Sequence, residues 1–323
     1  MGIPTNTRLR KDIDPILNDG LQMESATPGM FKSPFLEGVD IVEAKTTDLV
    51  RLLRERLIDM AFIADDIGFE ETARIMNLEK QRELLESATS NGVFPLEAFE
   101  KAEAEGRLAR WNDSNLFGLR DLQAEKIERC LGFDLVDSPV LRALVRKEDR
   151  ELDPRSAPWA KLDTANPYAV VTSYPELYKF LSYYRSANSV EDLEYKIPPT
   201  IKVNGNVEAY LRNGVYPNAA IAVDLVQTGK TATENGLVAL RNRSTLSGRK
   251  SLDSRDRTGS SPAEPSIWRM DNVEEGVRKR IEDLIAVIEQ KVKDANFDFL
   301  RFGNSGVNSF SATGALWIRQ YLL

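Results

Sequence analysis

The sequence predicts an α/β protein built around parallel sheet, and three stretches predict it. Val39–Ala44, Thr46–Glu55 and Ile58–Ala64 read in turn as a β-branched strand, a helix with Leu49, Leu52 and Leu53 on one face, and a buried strand, IDMAFIA. That order marks a right-handed crossover between parallel strands. Tyr168–Thr172 (YAVVT) is a second strand signal. Ala219–Val226 (AAIAVDLV) is the most apolar strand of the chain, as expected of a central strand covered on both faces. A length of 323 residues suits two domains at ~100–200 residues each.

The remaining elements follow in order. From Glu70 to about Arg129 the chain is charged and helix-prone. ETARIMNLEKQRELLESA and LEAFEKAEAEG predict two helices, the second stopped by Gly106, which together make a helical insertion. Strand character returns at Leu141–Val145. SYPELYKFLSYYR opens a helix with Pro175 in its first turn. Thr200–Val203 reads as a short strand and Val207–Arg212 as a helix. Arg241–Ser266 is rich in Arg, Ser, Gly and Pro and reads as a surface loop. Its Arg241, Arg243, Arg249, Lys250, Arg255 and Arg257 could grip a phosphate or simply be solvated. Asn272–Asp294 predicts a helix with a capping-box-like start at Asn272 and Glu275. Its stripe is Val277, Ile281, Leu284, Ile285, Ile288 and Val292. The C-terminal stretch alternates glycines with large apolar residues and suggests no function.

Composition removes whole classes of chemistry. Hydrophobic residues are 42% and charged residues 29%, and the net charge of −7 argues against a general nucleic-acid binder. Cys130 is the only cysteine, and there is no histidine. Internal disulfides, cysteine zinc clusters, histidine bases and imidazole ligands are thereby excluded. Any metal must be a hard cation held by oxygen, with magnesium the natural candidate. The N-terminal MGIPTNTRLRKDID has no apolar core, and Asn6 stands where a myristoylation pattern wants Ser or Thr. No apolar run reaches the ~18 residues that span a bilayer. A cytoplasmic protein without nucleic-acid or membrane partners is expected.

One segment concentrates the chemistry: AAIAVDLVQTGKTATENG. A buried strand delivers Asp224 near its carboxyl end, followed by Thr228, Gly229, Lys230 and Thr231 and a helical ATEN. A carboxylate at a strand end can bond both hydroxyls of a ribose. Gly229 lets backbone amides approach a phosphate, Thr228 and Thr231 add hydroxyl donors, and a helix N-terminus favours an anion. Open α/β sheets bind ligands at this end of their strands. Walker A is a poor match, because Asp224 stands where its first glycine belongs.

The longer segment KVNGNVEAYLRNGVYPNAAIAVDLVQTGKTATENGLV resembles the signature region of the ATP phosphoribosyltransferase family, which opens histidine biosynthesis. Gly205, Val207, Glu208, Asp224, Leu225, Val226, Thr228, Gly229, Thr231, Glu234, Asn235 and Gly236 fit its pattern. Further likenesses follow the family order: VVTSYPELYKFL, LGFDL at Leu131–Leu135, IDMAFIADDI with Asp59 and Asp66, and PTNTRL, which puts Arg8 on the family arginine. The resemblance implies a bilobal type-II periplasmic-binding-protein-like fold, two mixed α/β domains around a cleft. It divides the chain into 1–137 with 237–323, carrying the insertion at about 72–129, and 138–236. It also implies transfer of 5-phosphoribose from phosphoribosyl diphosphate to N1 of ATP, magnesium assistance, and a homo-oligomer, dimeric or higher.

Carried over residue by residue, Arg8, Glu208 and Asp224 are the catalytic set. Asp224, Leu225, Val226, Gln227, Thr228, Gly229, Lys230 and Thr231 bind the donor, Asp66, Ser173 and Tyr174 the acceptor, and Glu208 and Asp224 the metal. The sequence also departs from the pattern. Asn6 and Thr7 replace a lysine and a glycine, removing a phosphate-neutralising cation, for which Lys11 or an arginine of the 241–257 loop could substitute. Ala61 and Ala64 replace glycines, Gln227 replaces Glu or Ser, and VYPN lengthens the loop after Gly214. A retained donor site beside an altered second site suggests a paralogue with another heterocyclic acceptor, or a ligand-sensing protein on the same fold.

Overall fold

The computed structural model describes residues 1–5, 7–90, 92, 96–108, 126–133, 140–148, 169–184, 187–212, 219–226, 230–239, 265–297 and 299–301. The chain divides into two compact units. Unit 1 comprises Met1–Thr72, Gln123–Ser138 and Ser260–Thr313, and unit 2 comprises Ala73–Leu122, Pro139–Gly259 and Gly314–Leu323.

Unit 1 is organised by β1 (Gly2–Pro4), which runs parallel to β4 (Ile41–Ala44) on one side and β5 (Met60–Ala64) on the other. The predicted strand–helix–strand unit therefore encloses β1 instead of pairing directly. The antiparallel β12 (Pro265–Met270) follows β5, then β6 (Ile127–Phe133) and β13 (Phe299–Arg301). A hairpin of β2 (Glu24–Thr27) and β3 (Met30–Lys32) extends the other edge. Both faces are apolar, which explains the unbroken hydrophobic runs. Phe62, Phe133 and Ile267 pack with Ile13 of α1 (Thr7–Pro15) and Ile281, Ile285 and Ile288 of α9 (Glu275–Asp294). Ile63 and Trp268 pack with Leu49 and Leu53 of α2 (Thr46–Arg54). Each fully buried aliphatic side chain of this kind contributes roughly 1.5–3 kcal/mol.

Several expectations for unit 1 need correction. The last helix starts at Glu275, not Asn272. Its N-cap is Glu274, with no side-chain cap, so the expected capping box is absent. The surface loop ends before Pro265, because Pro265 and Ser266 pair with Ala64 and Ile63 in β12. Ile127–Phe133 is a wholly buried strand at the end of the segment read as helical insertion.

Unit 2 holds the order β11 (Leu237–Ala239), β7 (Val140–Arg146), β10 (Ala219–Val226), β8 (Ala169–Thr172), β9 (Thr200–Lys202). Strands β9, β8 and β10 are parallel, and β7 is antiparallel to both its neighbours. The core of unit 1, β4-β1-β5-β12-β6, repeats this plan. In each, the first strand is central, and an antiparallel strand from a distant part of the chain sits between the third and the last. Two mixed α/β units sharing this order realise the type-II binding-protein-like fold class expected from the sequence.

The helical insertion is built as predicted, as α3 (Asp65–Ser90) and α4 (Leu96–Ala104), with Gly106 at φ +70° ending α4. From Ala73 onward it belongs to unit 2. Asn77 donates to the Glu176 carboxylate at 2.7 Å, and Gln81 donates to the Tyr184 hydroxyl. The Thr200 hydroxyl donates to the Gly106 carbonyl at 3.0 Å.

Candidate functional site at the carboxyl edge of the second sheet

The three parallel strands of unit 2 end together. Thr172 is in register with Val223 on one side and Lys202 on the other. The next residues, Ser173, Asp224 and Val203, therefore form a row along the carboxyl edge, where open α/β sheets take ligands. Side-chain alternation puts Ala222, Asp224 and Val226 on one face. Ala222 and Val226 pack with Val207 and Leu211 of α7 (Val207–Arg212), so Asp224 lies on the face that α7 covers. Arg146 of β7 donates to the Leu211 carbonyl at 3.1 Å, tying the far end of α7 toward the opposite edge. Glu208, in the first turn of α7, is left at the ligand edge.

The two predicted carboxylates differ in their surroundings. Asp224 is half-buried and accepts the Leu225 backbone N–H at 2.8 Å. Glu208 is only 6% exposed, and among the described residues it has neither a hydrogen bond nor an ion pair. A carboxylate so placed is costly unless a cation or hydroxyl meets it. A Gly-Asn turn with both residues at positive φ, Gly205 at 70° and Asn206 at 45°, lifts the chain from β9 into α7.

Ser173 and Tyr174 leave β8 through a turn in which the Tyr174 N–H donates to the Thr172 hydroxyl at 2.9 Å. Pro175 then opens α5 (Pro175–Ser182). Ser173 is half-buried and Tyr174 is buried. Lys230 and Thr231, both exposed, start α8 (Lys230–Glu234), where Lys230 lies 3.8 Å from Glu234. That helix is a single turn, so the dipole expected of it is small. Gln227, Thr228 and Gly229, the 241–257 basic cluster and the VYPN extension lie outside the described residues, as does the stretch after Arg301.

Arg8 and Asp66 belong to unit 1. Arg8 is the second residue of α1, with its side chain outside the described set. Asp66 is buried in the first turn of α3, beside Asp65, which the sequence reading passed over. Asp65 is fully buried and pairs with Arg129 at 2.5 Å, and Arg129 donates through Nε to the Ser266 hydroxyl at 2.9 Å. A second buried pair joins Arg269 to Glu128 at 2.5 Å and to Glu282 at 2.8 Å. Burial pushes the Glu128 carboxyl above its ordinary range, while Arg269 pulls it back. Ala61 is fully buried in β5 against Gly2, so its methyl group fills core. Among the described residues, the structure thus brings Ser173, Tyr174, Glu208, Asp224, Lys230 and Thr231 together around one sheet. Arg142, which stands opposite Asp224 in the β7–β10 register, was missed. The available signal was a lone arginine inside the apolar run VLRALV.

Fold and edge together define an α/β ligand-binding protein of two units, with two carboxylates at the strand ends of the second. No protein-family profile and no curated protein sequence matches the chain. Among solved structures it is similar to an ATP phosphoribosyl transferase (HisG:HisZ) complex from Thermotoga maritima, at 11% identity and a TM-score of 0.49, covering 91% of this chain and 98% of that one. It is also similar to a binding-protein component of an ABC phosphonate transporter from Pseudomonas aeruginosa, at 9% identity and a TM-score of 0.42, covering 99% of this chain and 87% of that one. Among the described residues, no helix is long and apolar enough to cross a membrane.

Proposed function

We propose that the protein is a phosphoribosyltransferase that takes 5-phosphoribose from phosphoribosyl diphosphate, with N1 of ATP as acceptor. The observation that carries this reading is the placement of the signature residues Glu208 and Asp224 on one face, at the carboxyl edge of β10, with Glu208 buried and unpaired among the described residues. Asp224 bonds the ribose hydroxyls, and the chain from Thr228 to Thr231 receives the 5-phosphate through backbone amides and hydroxyls. Leu225, Val226, Gln227 and Lys230 complete that loop. Ser173, Tyr174 and Asp66 contact the acceptor, and Arg8 meets diphosphate or triphosphate oxygens.

Such a transfer develops positive charge at the anomeric carbon and negative charge on the departing diphosphate. Positioning and charge stabilisation supply most of the catalysis, so a chain without histidine can perform it. The donor set fits magnesium, because two hard carboxylate oxygens share one face and one of the carboxylates lacks a protein partner. Glu208 and Asp224 would hold the ion, which would neutralise the leaving diphosphate.

A second reading keeps the donor and changes the acceptor to another heterocyclic nitrogen. It is favoured by the loss of the N-terminal lysine at Asn6 and by the alanines at 61 and 64. Incubation with phosphoribosyl diphosphate, magnesium and a nucleotide and nucleobase panel, read by diphosphate release and product mass, separates the two. A phosphoribosyl-ATP product supports the first reading. Diphosphate released only with another heterocycle replaces it with the second. Release with none of them refutes both, and leaves a ligand-sensing role.

A further inference from the structure

We infer that Arg142 is an anion-binding residue of this site, supplying the fixed positive charge that the sequence pattern lacks at its N-terminal element. The inference rests on the phosphoribosyltransferase reading for the identity of its ligand, a sugar diphosphate, and on strand register for its placement.

Antiparallel register sets Arg142 of β7 directly opposite Asp224 of β10, with Leu141 opposite Leu225 and Leu144 opposite Ala222. Directly opposite residues share a face. Ala222 and Leu144 belong to the same apolar cluster as Val207 and Leu211, so this is the face covered by α7. Because β7 runs antiparallel, the beginning of β7 lies at the carboxyl edge of β10. Arg142 therefore joins the row of Asp224, Ser173 and Val203, on the side of the sheet to which α7 brings Glu208.

Charge balance explains why a cation belongs there. The row and α7 contribute two carboxylates, yet the proposed ligand is itself a polyanion. Among the described residues of the row, Arg142 is the cation. Lys202 holds the alternate position, in register with Thr172, and Lys230 is exposed and in ion-pair reach of Glu234. A guanidinium has five donors in a rigid fork, and one carboxylate uses at most two of them. The same arginine can hold Asp224 in place and present its remaining donors to phosphoryl oxygens, the pairing for which arginine geometry is best suited. An apolar residue at position 142 would satisfy the strand equally well, and only the ligand requires the charge.

The test is calorimetric titration with two probes, inorganic diphosphate and phosphoribosyl diphosphate, both with magnesium. The proteins are the wild type, Arg142→Gln, Arg142→Lys and the double variant Arg142→Gln/Asp224→Asn, each checked by thermal melting. The expected result is a loss of roughly tenfold or more in affinity for inorganic diphosphate in Arg142→Gln. Arg142→Lys should recover part of it, and the double variant none. A purely structural partner of Asp224 would behave differently: diphosphate affinity would be unchanged in a folded Arg142→Gln, or restored in the double variant, and either result overturns the inference. If Arg142→Gln does not fold, Arg142→Lys alone decides, since loss of bidentate geometry should weaken diphosphate binding at unchanged melting temperature. Wild type that transfers phosphoribose while Arg142→Gln binds both probes normally would sink this inference and leave the proposed function standing. Arginine-dependent diphosphate binding without turnover on any acceptor would do the reverse.

Discussion

The two sheets share a strand plan but treat their charges in opposite ways. In unit 1 the buried charges near the edge are closed on one another: Asp65 with Arg129, Arg129 with Ser266, and Arg269 with Glu128 and Glu282. In unit 2 the equivalent edge carries Glu208, buried and without a partner among the described residues, and Asp224, held only in part by the neighbouring backbone N–H. A closed network fixes an architecture, whereas an open carboxylate is stable only because something outside the protein completes it. The same fold can therefore use one edge for construction and the other for binding.

The contrast breaks most sharply by mutation in unit 1. Asp65→Ala leaves Arg129 buried without its carboxylate and should cost about 3–5 kcal/mol in urea unfolding. The matched change in unit 2, Glu208→Gln, removes a carboxylate with no protein partner to strand. It should leave the unfolding midpoint unchanged or raise it, while abolishing donor binding. Equal destabilisation by both would erase the distinction between the edges.

A second disruption probes how tightly unit 1 is closed. A side chain at Gly68 would collide with the Trp268 indole, whose ring also meets Phe69 edge-on. Gly68→Ala should then destabilise by about 1–3 kcal/mol, and an unchanged melting curve would show that the α3–β12 contact yields easily.

A smaller effect is expected from pH. The Glu128 carboxyl is raised by burial above its ordinary value of 4.5. The folded state therefore holds that proton more tightly than the unfolded chain does. Between the unfolded and the folded values, stability should fall as pH rises, and Glu128→Gln should remove that part of the slope. A profile whose slope is identical in the variant would contradict the assignment. Smallest of all is the thiol. Burial pushes Cys130 well above its usual range, so alkylation should be slow in the native protein and report only unfolding.

Much of this architecture was legible in the residues because local signals agreed. AAIAVDLV and VEAYLR form the strand and helix at their predicted bounds, and Gly106 stops α4 through a left-handed φ that favours glycine. What was not legible depended on distant pairing. GIP is too short to signal a strand, yet it centres the first sheet because β4 and β5 both pair with it. The segment IERCLGF looked like the tail of a charged helical stretch. Its Glu128 and Arg129 are inside only because Arg269 and Asp65 meet them from other elements. At the site, the motif located Glu208 and Asp224 but not Arg142, whose position becomes apparent only once β7 is aligned antiparallel to β10.

The central claim is that the open edge of unit 2 receives phosphoribosyl diphosphate. Its most direct measurement is calorimetric binding of that compound, with magnesium, to the wild type and to Asp224→Asn, with melting temperatures recorded for both. The account predicts saturable one-site binding by the wild type, and loss of that binding in Asp224→Asn at an unchanged melting temperature. Absence of binding to the wild type, or equal affinity in a folded Asp224→Asn, would contradict it.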